Sequence, residues 1–373
     1  MSGLEKSSVP PGHPHGEVAG IRSALVSRLG LALGSCGFVL LAVLAAELLS
    51  RTWAPDYLVK SRGLHVFSSA YGWAGRPGAV APMGGGRVSL NAHGYRGREL
   101  PVPKTGDRMR VVVLGDSISF GYGVSDEQTF PHLLSVRNEG LEVANLGVEG
   151  YGPGQELLVL RREGLSADPD VVVLALCLRN DFVDAVLPVA LYDGVTPRPR
   201  FQLVGDTLVL DESAMPRTRA GRSLHWLGDE SHLFNRVSAL LPRRDREEDP
   251  GWRSRKQEVL RDPDYAFRLT FALVMEMEKM CRQRGVGFLV ATFPNGLGYG
   301  IRPELSERLH ASLRASGVAV VDMGARFRTL GLTPQALAID STGHLDPRGH
   351  ALSSEILDHE IAARFGNREP SVD

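Results

Sequence analysis

Apolar residues fall along this chain in three patterns, and each predicts a different kind of element. The first pattern is one unbroken block. Leu29 to Leu49 reads Leu-Gly-Leu-Ala-Leu-Gly-Ser-Cys-Gly-Phe-Val-Leu-Leu-Ala-Val-Leu-Ala-Ala-Glu-Leu-Leu, apolar apart from a few small residues and the late Glu47. At about 1.5 Å per residue it is just long enough to cross a hydrocarbon core of about 30 Å, so 29–49 is expected to be a transmembrane helix in contact with the lipid bilayer. Arg22 and Arg28 precede it. By the positive-inside rule this puts the amino-terminal tail in the cytoplasm and the chain after Arg51 outside, although Arg51, Lys60 and Arg62 pull the other way. A cleaved signal peptide would end in a small-x-small site followed by polar sequence, and none closes the run. Leu33-Gly34-Ser35-Cys36 has the shape of a lipoprotein cleavage box, but the chain stays apolar well beyond Cys36. A buried core helix is the third alternative, and length and position favour the anchor over it.

The second pattern is short apolar runs, rich in β-branched residues and bounded by turn residues, alternating with helical stretches. That rhythm predicts a parallel sheet flanked by helices. Strands are expected at Arg110–Leu114, Leu141–Leu146, Asp170–Leu176, Val286–Phe293 and Val318–Asp322. A helix is expected to start near Thr129, an N-cap with Pro131 in the first turn. Others are expected over Gln155–Gly164, Asp264–Arg284 and Pro303–Ala315, and a last one after His350, ending near Phe365. The first three strands with their helices form a βαβαβ run, the signature of a doubly wound α/β sheet.

The third pattern is irregular. Residues 50–105 mix aromatic and Gly-rich segments and then read Val88-Ser-Leu-Asn-Ala-His-Gly-Tyr-Arg-Gly, which predicts an extended lead-in with His93 and Arg96 at the surface or in packing. Residues 184–260 break the α/β rhythm. Phe201-Gln-Leu-Val-Gly-Asp-Thr-Leu-Val-Leu predicts a hairpin, and the Arg/Glu/Asp-rich stretch Arg243–Arg255 predicts a solvated loop. The chain therefore divides into a disordered cytoplasmic tail (1–28), an anchor (29–49), a lead-in (50–105) and an α/β domain (106–373) with an insertion at about 184–260.

Composition narrows the partners. With 42 basic and 43 acidic residues the net charge is -1, which gives no reason to expect nucleic acid as a partner. Residues 1–20 are rich in Gly, Pro, Ser and His and have little that could pack. His13 and His15 lie there without a Cys or carboxylate partner, so a solvated tail is favoured over a metal site. The three cysteines, Cys36, Cys177 and Cys281, lie in the anchor, a strand and a helix. Their spacing offers no disulfide framework, so an exported domain would have to fold by its core.

Candidate chemistry lies where strands end. Gly115-Asp116-Ser117 follows the first strand, and in open α/β sheets ligands sit beyond the carboxyl ends of the strands, so Ser117 is placed to be a nucleophile. The same three residues also suit a plain polar turn. Gly150-x-Gly152-x-Gly154 follows the second strand and misses the dinucleotide spacing Gly-x-Gly-x-x-Gly, which leaves an oxyanion donor as its candidate role. Asn180-Asp181 follows the third strand, where a side-chain amide can donate to a developing oxyanion or simply cap a turn. Late in the chain, Asp340-Ser-Thr-Gly-His344-Leu-Asp-Pro-Arg-Gly-His350 precedes the last helix, and a histidine there can act as base with a carboxylate fixing its tautomer.

In this order, Gly115-Asp116-Ser117-Ile118-Ser119, Asn145-x-x-x-x-Gly150, Asn180-Asp181 and the late Asp/His loop resemble the SGNH hydrolases, also called the GDSL esterase/lipase family. The resemblance covers residues 108 to about 365. It implies a flavodoxin-like three-layer α/β/α domain and a serine esterase that uses no metal or organic cofactor. It further implies Ser117 as nucleophile, His344 as base and Asp340 as orienting acid, with an oxyanion hole made by the N–H groups of Ser117 and Gly150 and the amide of Asn180.

Two positions depart from the family pattern. Leu178 stands where the third motif has Gly, beside the pocket of Asn180, and Ser341 stands three residues before His344, where the last motif has its Asp. Asp340 is one residue further back, and His350 with Asp346 is the alternative base. The resulting expectation is a single-pass protein of the cytoplasmic membrane, its catalytic domain extracytoplasmic, acting on O-acyl esters of an extracytoplasmic carbohydrate or a small molecule. The carbohydrate rests on analogy with anchored relatives. Two alternatives stay open: an O-acyltransferase of polysaccharide modification, and a non-catalytic glycan-binding domain.

Overall fold

The computed structural model describes residues 15–53, 63–99, 101–102, 104, 106–191, 196–217, 231, 233, 237, 250–294, 303–340 and 342–366. They belong to two compact units, Met1–Tyr57 with Ser231–Leu241, and Leu58–Glu230 with Pro242–Asp373.

The first unit is built on one long helix, α1 (His15–Trp53). Its segment Gly30–Ser50 has a mean hydropathy of 2.1 and is long and apolar enough to cross a membrane. Leu31, Phe38, Leu41, Leu44 and Leu48 along it are exposed. Residues 15–28, expected as disordered tail, are helical instead. No proline lies between Pro14 and Pro55, and Val18, Ile21 and Leu25 recur at helical spacing up to the apolar run. Residues 1–14 lie outside the described part. Near the other end, the Glu47 carboxylate accepts hydrogen bonds from Ser231 Oγ at 2.8 Å and from the Leu233 N–H at 2.9 Å.

The second unit opens with two hairpins, β1 (His65–Ser68) with β2 (Gly72–Gly75), and β3 (Val80–Met83) with β4 (Gly86–Ser89). They are the extended lead-in expected from the sequence. Then come β5 (Met109–Gly115), α2 (Ser117–Phe120), α3 (Phe130–Arg137), β6 (Leu141–Asn145), α4 (Pro153–Val159), β7 (Val171–Cys177) and α5 (Asp181–Asp184). The predicted hairpin follows as β8 (Arg200–Val204) and β9 (Thr207–Asp211). Next are α6 (Pro250–Val259), α7 (Pro263–Arg282), β10 (Gly287–Phe293), α8 (Pro303–Ala315), β11 (Ala319–Asp322), α9 (Met323–Thr329) and α10 (Pro347–Phe365).

Strands β5, β6, β7, β10 and β11 form one parallel sheet in the order β11-β10-β7-β5-β6. Numbered by appearance within the sheet this is 5-4-3-1-2, the flavodoxin-like doubly wound order. The strands have nearly continuous Val/Leu/Ala sequences because both faces are covered. Val112, Leu114, Val172, Leu174 and Val290 pack on one side with Leu157, Leu269, Leu273 and Leu309 from α4, α7 and α8. The alternate residues Val111, Val113, Val173, Leu289 and Ala291 pack on the other with Phe130, Leu134, Leu357 and Ile361 from α3 and α10. The period of two along each strand thus divides its side chains between two cores.

Three boundaries differ from expectation. Pro250–Val259, partly inside the expected solvated loop, is helical, and Lys256 is buried there with its Nζ donating to the Arg179 carbonyl at 3.2 Å. The charge pattern describes a solvated stretch equally well as loop or as helix face. Residues 243–249 lie outside the described part. The last helix begins at Pro347 rather than after His350, because Asp346 caps it by accepting the Gly349 N–H at 2.7 Å. The short α9 was not expected at all, since seven residues carry too few apolar periods to announce themselves.

Candidate active site

The strand order places a crevice between β5 and β7, where the winding of the sheet reverses, and both strands end in loops that carry candidate residues. Strand β5 ends at Gly115 with φ of 151°. A Cβ at that residue would stand 2.8 Å from the Ala175 carbonyl oxygen on β7, so only glycine lets the chain turn there. Asp116 follows as the cap of α2, its Oδ1 accepting the Ile118 N–H at 2.9 Å. Ser117 is therefore the first residue of a short helix, 7 % exposed, with its hydroxyl at the strand's end.

The terminal loop brings the histidine to it. His344 Nε2 lies 2.9 Å from Ser117 Oγ, and His344 Nδ1 lies 2.7 Å from Asp340 Oδ2. Asp340 is four residues before the histidine, and the loop absorbs the extra residue by folding around the carboxylate. Its Oδ1 accepts the Thr342 hydroxyl at 2.7 Å, the Thr342 N–H at 3.0 Å and the His344 N–H at 3.2 Å. Burial alone would push Asp340 up. The hydrogen bond and charge of His344, with Thr342, outweigh burial and hold the carboxyl below the usual carboxylate range. In this arrangement Nδ1–H donates to Asp340 and Nε2 is left as the acceptor for the serine proton.

His350, the alternative base, is elsewhere. It sits inside α10, 1 % exposed, with Nδ1 accepting the Phe130 N–H at 3.2 Å and its ring stacked on Phe130. Burial pushes it down to about 3, so it stays neutral as a structural acceptor. Asp346 is the helix cap described above. Ser341 lies outside the described residues.

The candidate oxyanion donors are arranged in two ways. The N–H groups of Ser117, at the start of α2, and of Gly150, in the turn after β6, donate to no carbonyl among the described residues. The amide of Asn180 is engaged instead. Its Nδ2 donates to Asp184 Oδ2 at 2.8 Å, Asp116 Oδ2 at 3.1 Å and Asp181 Oδ1 at 3.2 Å, while its Oδ1 is buried without a partner. Two protons are shared among three carboxylates, so the amide's donors are fully engaged in this arrangement. Leu178, which stands where the third motif has Gly, packs into the core. It is 5 % exposed and belongs to the core cluster that includes Leu176 and Phe182.

Near the serine lies a group of buried acids, of which the sequence motifs named Asp116 and Asp181 but not Asp184 or Glu156. Asp116, Asp181, Asp184 and Glu156 are all buried. Asp184 is paired with the equally buried Arg198, Nη2 to Oδ1 at 2.7 Å. Asp181 Oδ2 accepts the Cys177 N–H at 2.6 Å, whereas both carboxyl oxygens of Glu156 are buried with no partner. Burial, then the neighbouring acids, raise Asp181 and Glu156 well above the usual range, and burial raises Asp116. Glu149, next to Gly150, is pushed up to about 7 by burial and by Asp116. Thr342 was also missed, although its position between the acid and the histidine was the one available signal. Among the described residues no cluster of His, Cys, Asp and Glu is arranged to hold a metal ion.

No protein-family model matches the sequence, and no curated protein matches it. Several solved structures resemble the coordinates. A protein placed in the lipolytic G-D-S-L family, from Desulfitobacterium hafniense, is 13 % identical with a TM-score of 0.40 over 68 % of this chain and 99 % of its own. A GDSL-like lipase from Bacteroides thetaiotaomicron is 13 % identical with a TM-score of 0.38 over 68 % and 88 %. An acetylxylan esterase from Geobacillus stearothermophilus is 15 % identical with a TM-score of 0.38 over 69 % and 95 %. Likeness at this level leaves the function of the site to its own geometry.

Proposed function

We propose that this chain is a serine esterase of the SGNH kind, held at a membrane by α1. The observation that carries the reading is the continuous relay Ser117 Oγ, His344 Nε2, His344 Nδ1, Asp340 Oδ2, with steps of 2.9 and 2.7 Å. His344 takes the Ser117 proton as the hydroxyl oxygen attacks an ester carbonyl, and Asp340 stabilises the imidazolium that forms. The Ser117 and Gly150 N–H groups receive the developing oxyanion, and Asn180 joins them by exchanging one of its carboxylate bonds. The imidazolium then protonates the leaving alkoxide. Water, deprotonated by the same histidine, hydrolyses the acyl-serine and restores the site.

The substrate we infer is an O-acyl group on an extracytoplasmic carbohydrate. Supporting it are the polar neighbours of the nucleophile, Asn180 and His344, which suit a hydroxylated alcohol. The length, apolar composition and exposure of Gly30–Ser50 support the anchor, and Arg22 and Arg28 before it support an outward catalytic unit.

The test is hydrolysis of p-nitrophenyl acetate and release of acetate from an acetylated polysaccharide by the full chain in detergent. Ser117→Ala and His344→Ala are expected to lose at least about 10⁴-fold in kcat. A folded wild type no faster than Ser117→Ala overturns the esterase reading. Extraction of the full chain from membranes by alkaline carbonate overturns the anchor.

A further inference from the structure

The chemistry above leaves one neighbour of the base unused. The ring of Tyr122 lies 4.4 Å, centroid to centroid, from the imidazole of His344, with the two planes inclined by 34°. The same ring is met by the turn of the β3–β4 hairpin. A Cβ on Gly84, at φ of 58°, would stand 2.9 Å from Tyr122 Cε1, 3.1 Å from its Cζ and 2.9 Å from Gly123 Cα. Only a glycine can pass here, and the ring has no room to withdraw toward the hairpin.

The loop that bears Tyr122 is clamped from the lead-in as well. Arg96, expected at the surface or in packing, is 2 % exposed. Its guanidinium donates to the carbonyls of Phe120 at 2.9 Å, Gly121 at 2.6 Å and Val124 at 2.7 Å, on both sides of Tyr122, and pairs with Asp126 at 2.7 Å. The Tyr122 N–H in turn donates to the Ser117 carbonyl at 3.0 Å. One residue thus bears on the base through its ring and on the nucleophile through its backbone.

We propose that Tyr122, wedged between Gly84 and His344, is a positioning residue for the base, so that the lead-in segment is part of the catalytic apparatus. The inference rests on the esterase reading above. A hydrogen bond to Asp340 fixes one nitrogen of the imidazole but leaves the ring free to swing about that contact. A ring packed against the imidazole at 4.4 Å restricts that swing and so helps hold Nε2 toward Ser117 Oγ. The face of the tyrosine ring also favours the imidazolium over the neutral ring at the moment the proton is taken.

The experiment compares Tyr122→Phe, Tyr122→Leu and Gly84→Ala in the full chain in detergent. It reads kcat and KM for p-nitrophenyl acetate, the labelling rate with a fluorophosphonate and the melting temperature. Tyr122→Phe keeps the ring and is expected to stay within about threefold of wild type. Tyr122→Leu and Gly84→Ala are expected to lose about 10- to 100-fold in kcat and in labelling rate, with KM within about threefold, because a misplacement of about 1 Å suffices for such losses. Wild-type kcat in folded Tyr122→Leu overturns the inference while the esterase reading stands. So does a Tyr122→Phe as slow as Tyr122→Leu, since the hydroxyl rather than the ring would then be the working group. If Tyr122→Leu does not fold, Gly84→Ala against Tyr122→Phe decides. A wild type that takes neither ester nor probe removes the esterase reading and this inference with it.

Discussion

Asp340 and Asp116 both lie close to Ser117, one through the histidine hydrogen-bonded to it and the other as the adjoining residue, and the structure treats them in opposite ways. Asp340 lies in the terminal loop, its side chain 32 % exposed, surrounded by donors from His344 and Thr342. Its charge is held on. Asp116, with Asp181 and Glu156, is buried near the strand ends, where one amide serves three carboxylates and Glu156 has no donor among the described residues. Those acids are pushed toward the neutral form. Proximity to Ser117 therefore does not by itself keep a carboxylate charged. The number of donors that a loop can wrap around a carboxylate, against the number that a packed strand end can supply, separates the two.

The comparison is most directly broken at Asp340. Asp340→Asn keeps the shape but removes the charge and favours the wrong histidine tautomer, so kcat is expected to fall by about 10⁴-fold with little change in KM. A fall of less than tenfold would place the orienting charge elsewhere, and steady-state kinetics on p-nitrophenyl acetate reads it.

Asn180 joins the two regions, and its loss should be smaller. Asn180→Ala is expected to lower kcat by about 10²-fold, the usual cost of one oxyanion donor. An unchanged kcat with a lowered melting temperature would mean that the amide serves the buried acids alone.

The smallest effect sharpens the comparison through pH. A glutamate in the unfolded chain titrates near about 4.3. In the folded protein Glu156 is raised, so above that value the native state holds a proton that the unfolded state has released, and stability falls as pH rises toward the folded value. Glu156→Gln has no proton to lose. Its stability relative to wild type, from urea unfolding at pH 5 and pH 8, is expected to grow with pH by on the order of 1 kcal/mol. Asp340 has the opposite sign: its folded value is depressed, so its contribution is present above the unfolded carboxylate value and is lost as pH falls toward the folded one. A Glu156→Gln difference that stays constant with pH would show that this carboxyl is charged in the fold.

Local chemistry made the sheet legible. Val111-Val-Val-Leu114 and Val171-Val-Val-Leu174 can only be buried strands, and glycines and capping residues mark where they end, so the doubly wound order followed from the alternation of strands and helices. Ser117 and His344 were legible for the same reason, being polar residues at strand ends and in the terminal loop. Tertiary structure decided what no local pattern encodes. It placed His344 with Asp340, rather than His350 with Asp346, beside Ser117, because a loop absorbs one extra residue while α10 encloses its histidine. It turned Asn180 toward three carboxylates drawn from two strand ends. It also carried Arg96, read from the sequence only as a surface or packing residue, and Gly84, which no pattern marked, onto the loop beside the base. Such contacts depend on where distant backbone groups come to rest, and their donors and acceptors acquire meaning only once the chain is packed.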